Sequence, residues 1–300
     1  MVKNLYILLV CYMPILDKYL PKTDFGPGIP DIGPVRFFSY LLIVAFGIET
    51  AIKKQTRFFS KWASIIGFFS IVVLASVSWS NYSYTPEVIQ SIFNTIFIPL
   101  IIVIIGLNLF TESENINVYI KNLLVSACIL SLISIYQMIL GNSLVLGQLR
   151  STGTLGNPNL LAIFLVLVIP CLIYAVEKQI VSKRIGWVVS ASLVVGIVCT
   201  VSRKGMATAI LAYCIYYFYK RKIKKILVVG FIVLTLTVML SGYAVISGRF
   251  SQEALDNQFA GKWAMTYAGW QMYKKSPLIG RGYKGYYENF GRYFTMACKS

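Results

Sequence analysis

Histidine is absent from this 300-residue sequence, and acidic residues are scarce, with 11 Asp and Glu against 28 Lys and Arg. Without histidine, this chain alone cannot build a His-ligated zinc site or a His-based catalytic triad. Cysteine also offers little: no Cys-x-x-Cys pair occurs, and only Cys298 of the six cysteines lies in a polar segment. The other five lie in apolar stretches: Cys11, Cys128, Cys171, Cys199 and Cys214. The sequence therefore predicts no disulfide framework, no metal site and no cofactor.

Charge of either sign is sparse, because only 13% of the residues are charged and 57% are hydrophobic. Soluble domains carry roughly a quarter charged residues, so this composition calls for a lipid solvent. The formal net charge of +17 is typical of nucleic-acid binders, but those concentrate Lys and Arg on one face of a soluble domain. Here the basic residues form short clusters between apolar runs, which predicts contact with membrane lipids and no nucleic-acid partner.

The hydrophobic runs predict an all-α, polytopic transmembrane helix bundle with about nine membrane segments. They cover approximately 4 to 16, 37 to 52, 62 to 79, 88 to 110, 119 to 140, 159 to 176, 185 to 201, 205 to 219 and 226 to 247. Most approach the roughly 20 residues that a hydrocarbon core of about 30 Å requires. The first run follows Lys3 and resembles a signal peptide, but no small-residue cleavage site follows it. We interpret it as a retained helix.

Alternate connections between these segments differ in their content of Lys and Arg. One set holds fourteen: Lys3, Lys53, Lys54, Arg57, Lys61, Lys121, Lys178, Lys183, Arg184, Lys220, Arg221, Lys222, Lys224 and Lys225. The short connections of the other set hold six: Lys18, Lys22, Arg36, Arg150, Arg203 and Lys204. Because basic loops stay cytoplasmic, the bias predicts a cytoplasmic N-terminus. The expected organisation is a bundle over 1–247 and an extracytoplasmic loop region with short helices over 248–300.

The connection before the sixth segment reads Arg-Ser-Thr-Gly-Thr-Leu-Gly-Asn-Pro-Asn over 150–159. Either Asn157 or Asn159 can cap the helix that follows, with Pro158 favoured near its first turn. The structural interpretation is a cap and a turn. The functional interpretation is that the N–H groups and positive helix end, with Arg150 beside them, face an anionic ligand at the outer surface.

The connection between the seventh and eighth segments, Thr-Val-Ser-Arg-Lys-Gly over 200–205, leaves almost no room for a loop. Arg203 and Lys204 therefore lie where two apolar runs nearly touch. Cations at such depth are costly and often mark substrate sites, although snorkelling at the interface is the simpler alternative. Because these cations oppose the orientation bias, we favour a functional role for Arg203.

Residues 280–285 of the tail match the dinucleotide fingerprint G-x-G-x-x-G. That fingerprint requires a strand, a helix and a later acidic residue in a βαβ unit, which an extracytoplasmic loop does not supply, so we reject dinucleotide binding. The glycines more plausibly form a tight turn next to Pro277. The preceding stretch from Gly261 to Lys275, rich in Trp and Tyr, is expected to lie at the membrane interface as an amphipathic helix.

Three elements in this order resemble the O-antigen ligase and polymerase family of bacterial membrane glycan transferases. The first is G-x-x-G-N-P-N-x-x-A from Gly153 to Ala162, and the second is Ser-Arg-x-Gly from Ser202 to Gly205. The third is a basic residue, here Lys262, followed about fifteen residues later by Pro-Leu-x-Gly-x-Gly over 277–282. Trp79-Ser80, after the third segment, is also similar to the family.

The resemblance implies a metal-independent transferase at the outer face of the bacterial cytoplasmic membrane. Its implied donor is a polyprenyl-diphosphate-linked glycan, and its acceptor is another glycan or a lipid. The growing negative charge on a diphosphate leaving group would be stabilised by cations and helix ends. Arg203 is the first candidate for that role and Lys262 the second, although the family usually has Arg at the second position and Arg249 is an alternative counterpart. Arg150, Asn157, Asn159, Gly280 and Gly282 are the expected substrate-loop residues.

The family is also expected to use a loop histidine after the third element to activate the acceptor hydroxyl, and this chain has none. We therefore expect the chain to be the amino-terminal two thirds of a longer enzyme and its catalytic base to be missing. Glu288 is the one nearby carboxylate that could replace it. A transporter or flippase of envelope glycan precursors is the alternative function, but Glu49 is the only acidic residue within the drawn spans, which disfavours ion coupling. An inactive fragment is the third possibility.

Overall fold

The computed structural model describes the following residues: 1–16, 18–19, 34–53, 86–110, 113–141, 144–145, 148–220 and 252–277, with short pieces at 64, 67–69, 71–72, 75 and 289–291. The described fold is helical. The exception is a small antiparallel pair of two-residue strands, β1 (Leu144–Val145) and β2 (Gln148–Leu149), in which Leu144 lies opposite Leu149. The all-α fold class is confirmed.

Eight helices carry the described part of the chain. They are α1 (Val2–Leu16), α2 (Pro34–Lys53), α3 (86–109), α4 (Ser113–Ile139), α5 (Pro158–Glu177), α6 (Lys183–Cys199), α7 (Arg203–Tyr219) and α8 (Gln252–Lys275). Helix α1 contains a π-helical stretch over Leu8–Tyr12, and α3 contains another over Phe93–Phe97. Side-chain oxygens cap the first turns of α5, α6 and α7 at Asn157, Ser182 and Ser202, because a helix start leaves N–H groups without backbone partners.

Among the described residues, four helices are long and apolar enough to cross a membrane: Pro34–Ile52, Ile89–Leu109, Asn115–Ile139 and Pro158–Glu177. They coincide with the predicted segments 37 to 52, 88 to 110, 119 to 140 and 159 to 176. Helices α6 and α7 have 17 residues each, and α1 is a shorter apolar helix. The prediction 62 to 79 falls mainly outside the described residues, and 226 to 247 falls wholly outside them. Nine spans are therefore not confirmed.

The chain divides into two compact units, the first comprising Met1–Ala45 and Leu109–Arg249 and the second Phe46–Asn108 and Phe250–Ser300. In the second unit, Ala268 and Met272 of α8 are buried and pack against Phe290. Trp263, Trp270 and Tyr273 of the same helix are exposed. The predicted helix over 261–275 is thus present as the second half of α8, and its location at the membrane interface stays a prediction.

The first unit packs α4, α5, α6 and α7 against one another around a single buried apolar core. Small residues permit the closest approaches, as is common between membrane helices. A Cβ added at Gly205 of α7 would lie 2.6 Å from Ala162 Cβ of α5, and one at Gly196 of α6 would lie 2.7 Å from Ser131 Oγ of α4. Ser134 of α4 also donates to the Gly196 carbonyl at 3.2 Å. These contacts fix the helices' separation next to the 200–205 connection.

Hydrogen bonds bring the end of α4, the start of α5 and the connection from α6 to α7 together, so the helix termini form two ends of the bundle. The loop end, as we define it, comprises 150–159 and 200–204. The basic end comprises 178–184, Lys220 and Lys3, since Lys220 pairs with Glu177 and Lys3 Nζ donates to Asn115 Oδ1 at 2.6 Å at the start of α4. The basic residues described at these two ends divide between them as the sequence predicted. Which end faces the cytoplasm stays a prediction.

Candidate functional site at the loop end

The loop end is built around Gln137, in the last turn of α4. Its Oε1 accepts hydrogen bonds from Ser151 Oγ at 2.9 Å, Thr152 N at 3.2 Å and Gly153 N at 2.9 Å. Its Nε2 donates to the Gly153 carbonyl at 2.8 Å. Because a primary amide both accepts and donates hydrogen bonds, this one side chain holds three successive residues of the loop.

Glycine is required where this loop turns. Gly153 has φ +57 and Gly156 has φ +67, both in the left-handed region that residues with a Cβ disfavour. A Cβ at Gly153 would in addition approach Leu161 Cδ2 to 3.1 Å. The hydroxyl of the buried Thr154 donates to the carbonyl of Pro14 in α1. The loop is thus tied to helices on both sides.

The 200–202 connection is equally constrained. Ser151 N donates to the Cys199 carbonyl at 3.0 Å, which joins the loop to the end of α6. Thr200 Oγ1 donates to the Ile197 carbonyl at 2.6 Å and accepts from Ser202 N at 3.2 Å. Val201 has φ +50, an unfavourable backbone conformation for a β-branched residue that persists only where its surroundings impose it. Such strain is common at functional sites.

The two asparagines of the loop have different tasks, which the sequence left open. Asn157 Oδ1 accepts from Asn159 N at 2.8 Å and caps α5, with Pro158 as the first helical residue. Asn159 Oδ1 instead accepts from Ser202 Oγ at 3.1 Å and from Arg150 Nη2 at 3.4 Å. Asn159 therefore connects the two segments that the sequence singled out separately.

Two guanidinium groups share this surface. Arg150 is half-buried and its Nε donates to the Thr200 carbonyl at 3.2 Å. Desolvation by burial lowers the pKa of Arg150, and the charge of Arg203 lowers it further. The Arg150 side chain stays charged, since a guanidinium keeps its proton throughout the neutral pH range. Arg203 is exposed and begins α7, directly after its cap Ser202. A bound anion would offset the repulsion between the two cations.

The described structure does not test the remaining predicted site residues. Lys262 belongs to α8 in the second unit. Arg249, Gly280, Gly282 and Glu288 lie outside the described residues. Their assignment to the site stays a prediction.

No group of three or more His, Cys, Asp and Glu side chains able to hold a metal ion occurs within the described ranges. The polar groups at the loop end are guanidinium, amide and hydroxyl groups together with backbone N–H groups. Such a set recognises anions and sugar hydroxyls rather than divalent cations.

Comparison with known families assigns part of the chain. Residues 187–297 match the family model described as O-antigen ligase. This match supports a likeness between that part of the chain and the O-antigen ligase family. The matched segment includes Ser202 and Arg203, whereas Arg150 and Asn159 precede it. No curated protein and no solved structure matches the chain.

The match and the apolar helices together indicate a multi-pass bacterial membrane protein with a glycan ligase or polymerase activity. Substrates of such enzymes are in general glycans and lipid-linked molecules. The hydrogen bonds of Asn159 extend the site beyond the matched segment, because they tie Ser202 to the loop at 150–159. The site therefore includes residues of the matched segment and of the loop at 150–159.

Gln137 was missed by sequence reasoning. A signal was present, since it is the only amide or charged side chain between Asn122 and Ile139, within a long apolar helix. Polar residues inside such helices tend to bind another part of the protein. What the sequence does not reveal is that its partners are residues 151–153, the first of which lies fourteen residues later.

Proposed function

We propose that the loop end binds the diphosphate of a polyprenyl-linked glycan at the outer face of the cytoplasmic membrane, and that the enzyme transfers this glycan onto a glycan or lipid acceptor. The bond between a sugar carbon of the transferred glycan and the diphosphate oxygen breaks, and a bond between that carbon and the acceptor oxygen forms. The acceptor hydroxyl loses its proton, and the polyprenyl diphosphate departs.

The observation that carries this proposal is that Asn159 accepts hydrogen bonds from both Arg150 and Ser202, the residue directly before Arg203, which brings the two arginines to one end of the bundle. The departing diphosphate gains negative charge in the transition state, and preorganised donors stabilise such charge most effectively. Arginine presents a planar fork that matches phosphate oxygens. The half-buried Arg150 is already oriented by the Thr200 carbonyl, so it is positioned before the substrate arrives.

Each residue has a proposed role. Arg203, exposed at the start of α7, contacts the diphosphate directly. Arg150, the more buried of the two arginines, adds its positive charge beside Arg203, and Asn159 sets the distance between them. Lys262, or Arg249 in its place, supplies a further cation, while Gly280 and Gly282 let backbone N–H groups approach the substrate. No histidine of this chain serves as the base that activates the acceptor, so that role stays unassigned.

Binding of a polyprenyl-diphosphate-linked glycan to the purified chain in lipid nanodiscs tests the proposal. Hydrogen bonds to charged groups contribute about 1.5–3 kcal/mol, so Arg203→Ala should raise the dissociation constant about 10- to 150-fold. Arg203→Lys should lose only part of the affinity, since the charge stays but the fork is lost. Glycan transfer by membranes that contain the complete enzymatic machinery should fall in the same order.

Lys204→Ala is the matched control, because Lys204 is the exposed neighbour of Arg203 at the same end of α7. It removes one positive charge from the loop end without touching the arginine pair and should change the dissociation constant less than about threefold. Equal losses in Arg203→Ala and Lys204→Ala would reduce the effect to general surface charge. Unchanged binding in Arg203→Ala would remove the role assigned to it.

A further inference from the structure

A recess lies at the basic end of the first unit, away from the loop-end site described above. It is a cavity of about 220 Å³ between α5, α6 and α7. Its walls include Leu172 and Val176 of α5 and Trp187 of α6. Pockets for compact ligands usually measure about 300–1,000 Å³, so this volume suits a segment of a flexible hydrocarbon chain better than a complete compact molecule.

The lining combines apolar and polar side chains, and its charge is of one sign. Lys183, at the start of α6, is its only charged side chain, and Ser190, Tyr213, Tyr216 and Tyr217 add hydroxyl groups. Ser190 Oγ and Tyr213 OH lie 2.6 Å apart in the wall and bond to each other. A recess with apolar walls, hydroxyl groups and one ammonium group fits a molecule that has an anionic polar head and an apolar tail.

The surroundings of the cavity favour an anion as well. Lys178 and Arg184 are exposed at the same end. The carboxylate of Glu177 is bound to Lys220, with Nζ and Oε1 2.7 Å apart, and also interacts with Lys178 and Tyr216, so it offsets only part of the positive charge at this end. Basic pockets between transmembrane helices recognise the head groups of acidic lipids. Trp187 is 62% exposed, and tryptophan at a helix end is typical of the membrane interface.

We propose that this cavity, which we call the α5–α7 cavity, is a binding site for an acidic glycerophospholipid of the surrounding bilayer. Lys183 binds the phosphate, and one acyl chain lies against Trp187, Leu172 and Val176. The Ser190 and Tyr213 hydroxyls lie where the ester carbonyls of the lipid enter the recess, and either hydroxyl can rotate to donate to them. This site is separate from the glycan site and does not depend on it.

The purified chain tests this site by native mass spectrometry after extraction from vesicles of equal phosphatidylcholine and phosphatidylglycerol. We expect phosphatidylglycerol to be retained preferentially. Lys183→Gln should lower the ratio of retained phosphatidylglycerol to phosphatidylcholine about fivefold, since one lysine near an acidic lipid surface contributes about that factor. Lys178→Gln, which removes an equal charge from outside the cavity lining, should change the ratio less than about twofold.

Filling the cavity separates the chain-binding part of the proposal from the charge. Ser190→Phe should abolish retention of phosphatidylglycerol while Lys183 is still present. If that variant does not fold, Lys183→Gln decides alone, because an exposed lysine can be replaced without loss of the core. Equal effects of Lys183→Gln and Lys178→Gln would overturn the proposal, as would equal retention of both lipids by the unaltered chain. Displacement of phosphatidylglycerol by an equimolar polyprenyl phosphate would also overturn it, since the occupant would then be a carrier lipid.

Discussion

The two ends of the first unit solve the same problem, connecting antiparallel membrane helices, in different ways. At the basic end, α5 and α6 are joined by 178–182 chiefly through backbone hydrogen bonds, such as Ile180 N to the Ala175 carbonyl at 2.8 Å. At the loop end, side chains of Gln137, Asn159 and Ser202 hold the connections. Backbone hydrogen bonds alone are sufficient to form a turn. The additional polar framework at the loop end indicates selection for a fixed arrangement of groups rather than for a connection.

The charges differ in the same sense. At the loop end, two arginines share one surface and one of them is half-buried, so that desolvation, together with the charge of Arg203, lowers the pKa of Arg150. At the basic end Lys178, Lys183 and Lys220 are exposed, and the Glu177–Lys220 pair is solvent-accessible, so it contributes little to stability. In our proposals the loop end binds the diphosphate of the glycan donor, and the basic end binds an acidic lipid of the bilayer.

The largest effect is expected from Gln137→Leu, which removes all four hydrogen bonds to the loop at 151–153. The variant leaves the backbone groups of the buried Gly153 without their main partner, at a cost of about 2–5 kcal/mol in the free energy of unfolding. Chemical unfolding in detergent micelles measures this, and binding of the lipid-linked glycan should be lost with it. Such a loss would sharpen the contrast, since no side chain described at the basic end holds as many bonds.

Gln137→Glu is the matched control for that variant. A carboxylate can still accept from Ser151, Thr152 and Gly153, but it cannot donate to the Gly153 carbonyl. It should therefore destabilise less than leucine does. If both substitutions left stability and binding unchanged, the side-chain framework would have no part in fixing the loop.

A smaller effect is expected when one methyl group is added to the glycines of the two ends. At Gly205 the new Cβ meets Ala162 Cβ at 2.6 Å, and that atom cannot move without its helix. At Gly186 it meets Val176 Cγ2 at 2.4 Å, a side-chain methyl beside the α5–α7 cavity that can move only by a change in the restricted χ1 angle of valine, without a shift of the helix. Gly205→Ala should cost about 1–3 kcal/mol, and Gly186→Ala should cost less. Thermal unfolding of the two variants side by side gives the comparison, and a larger loss for Gly186→Ala would reverse it.

Much of the first unit could be predicted from hydrophobicity alone. The runs at 119 to 140, 159 to 176, 185 to 201 and 205 to 219 are observed as helices, because in a membrane nearly every backbone group must be bonded within its own segment. The starts of α5 and α7 could also be predicted from their capping residues Asn157 and Ser202. Because a capping residue lies directly before the first turn of its helix, the local sequence indicates where these helices start.

The composition of the site could be predicted only in part. The motifs predicted Arg150, Asn159 and Arg203 in outward connections. Their spacing could not show that Asn159 joins the loop at 150–159 to the 200–202 connection while Asn157 caps α5. Gln137 was missed because its bonds depend on where α4 ends relative to the loop, which is a tertiary property. The positive φ of Val201 was equally hidden, since nothing in the residue type favours it.

Photo-cross-linking tests the central claim most directly, because it asks which end of the bundle receives the diphosphate. The purified chain in nanodiscs would be irradiated with a polyprenyl diphosphate carrying a diazirine next to the diphosphate, and the labelled peptides would be identified by mass spectrometry. We predict labelling within 150–159 or 200–204, abolished in Arg203→Ala and retained in Lys204→Ala. Labelling confined to 178–184, or labelling of the loop end that persists in Arg203→Ala, would contradict this account.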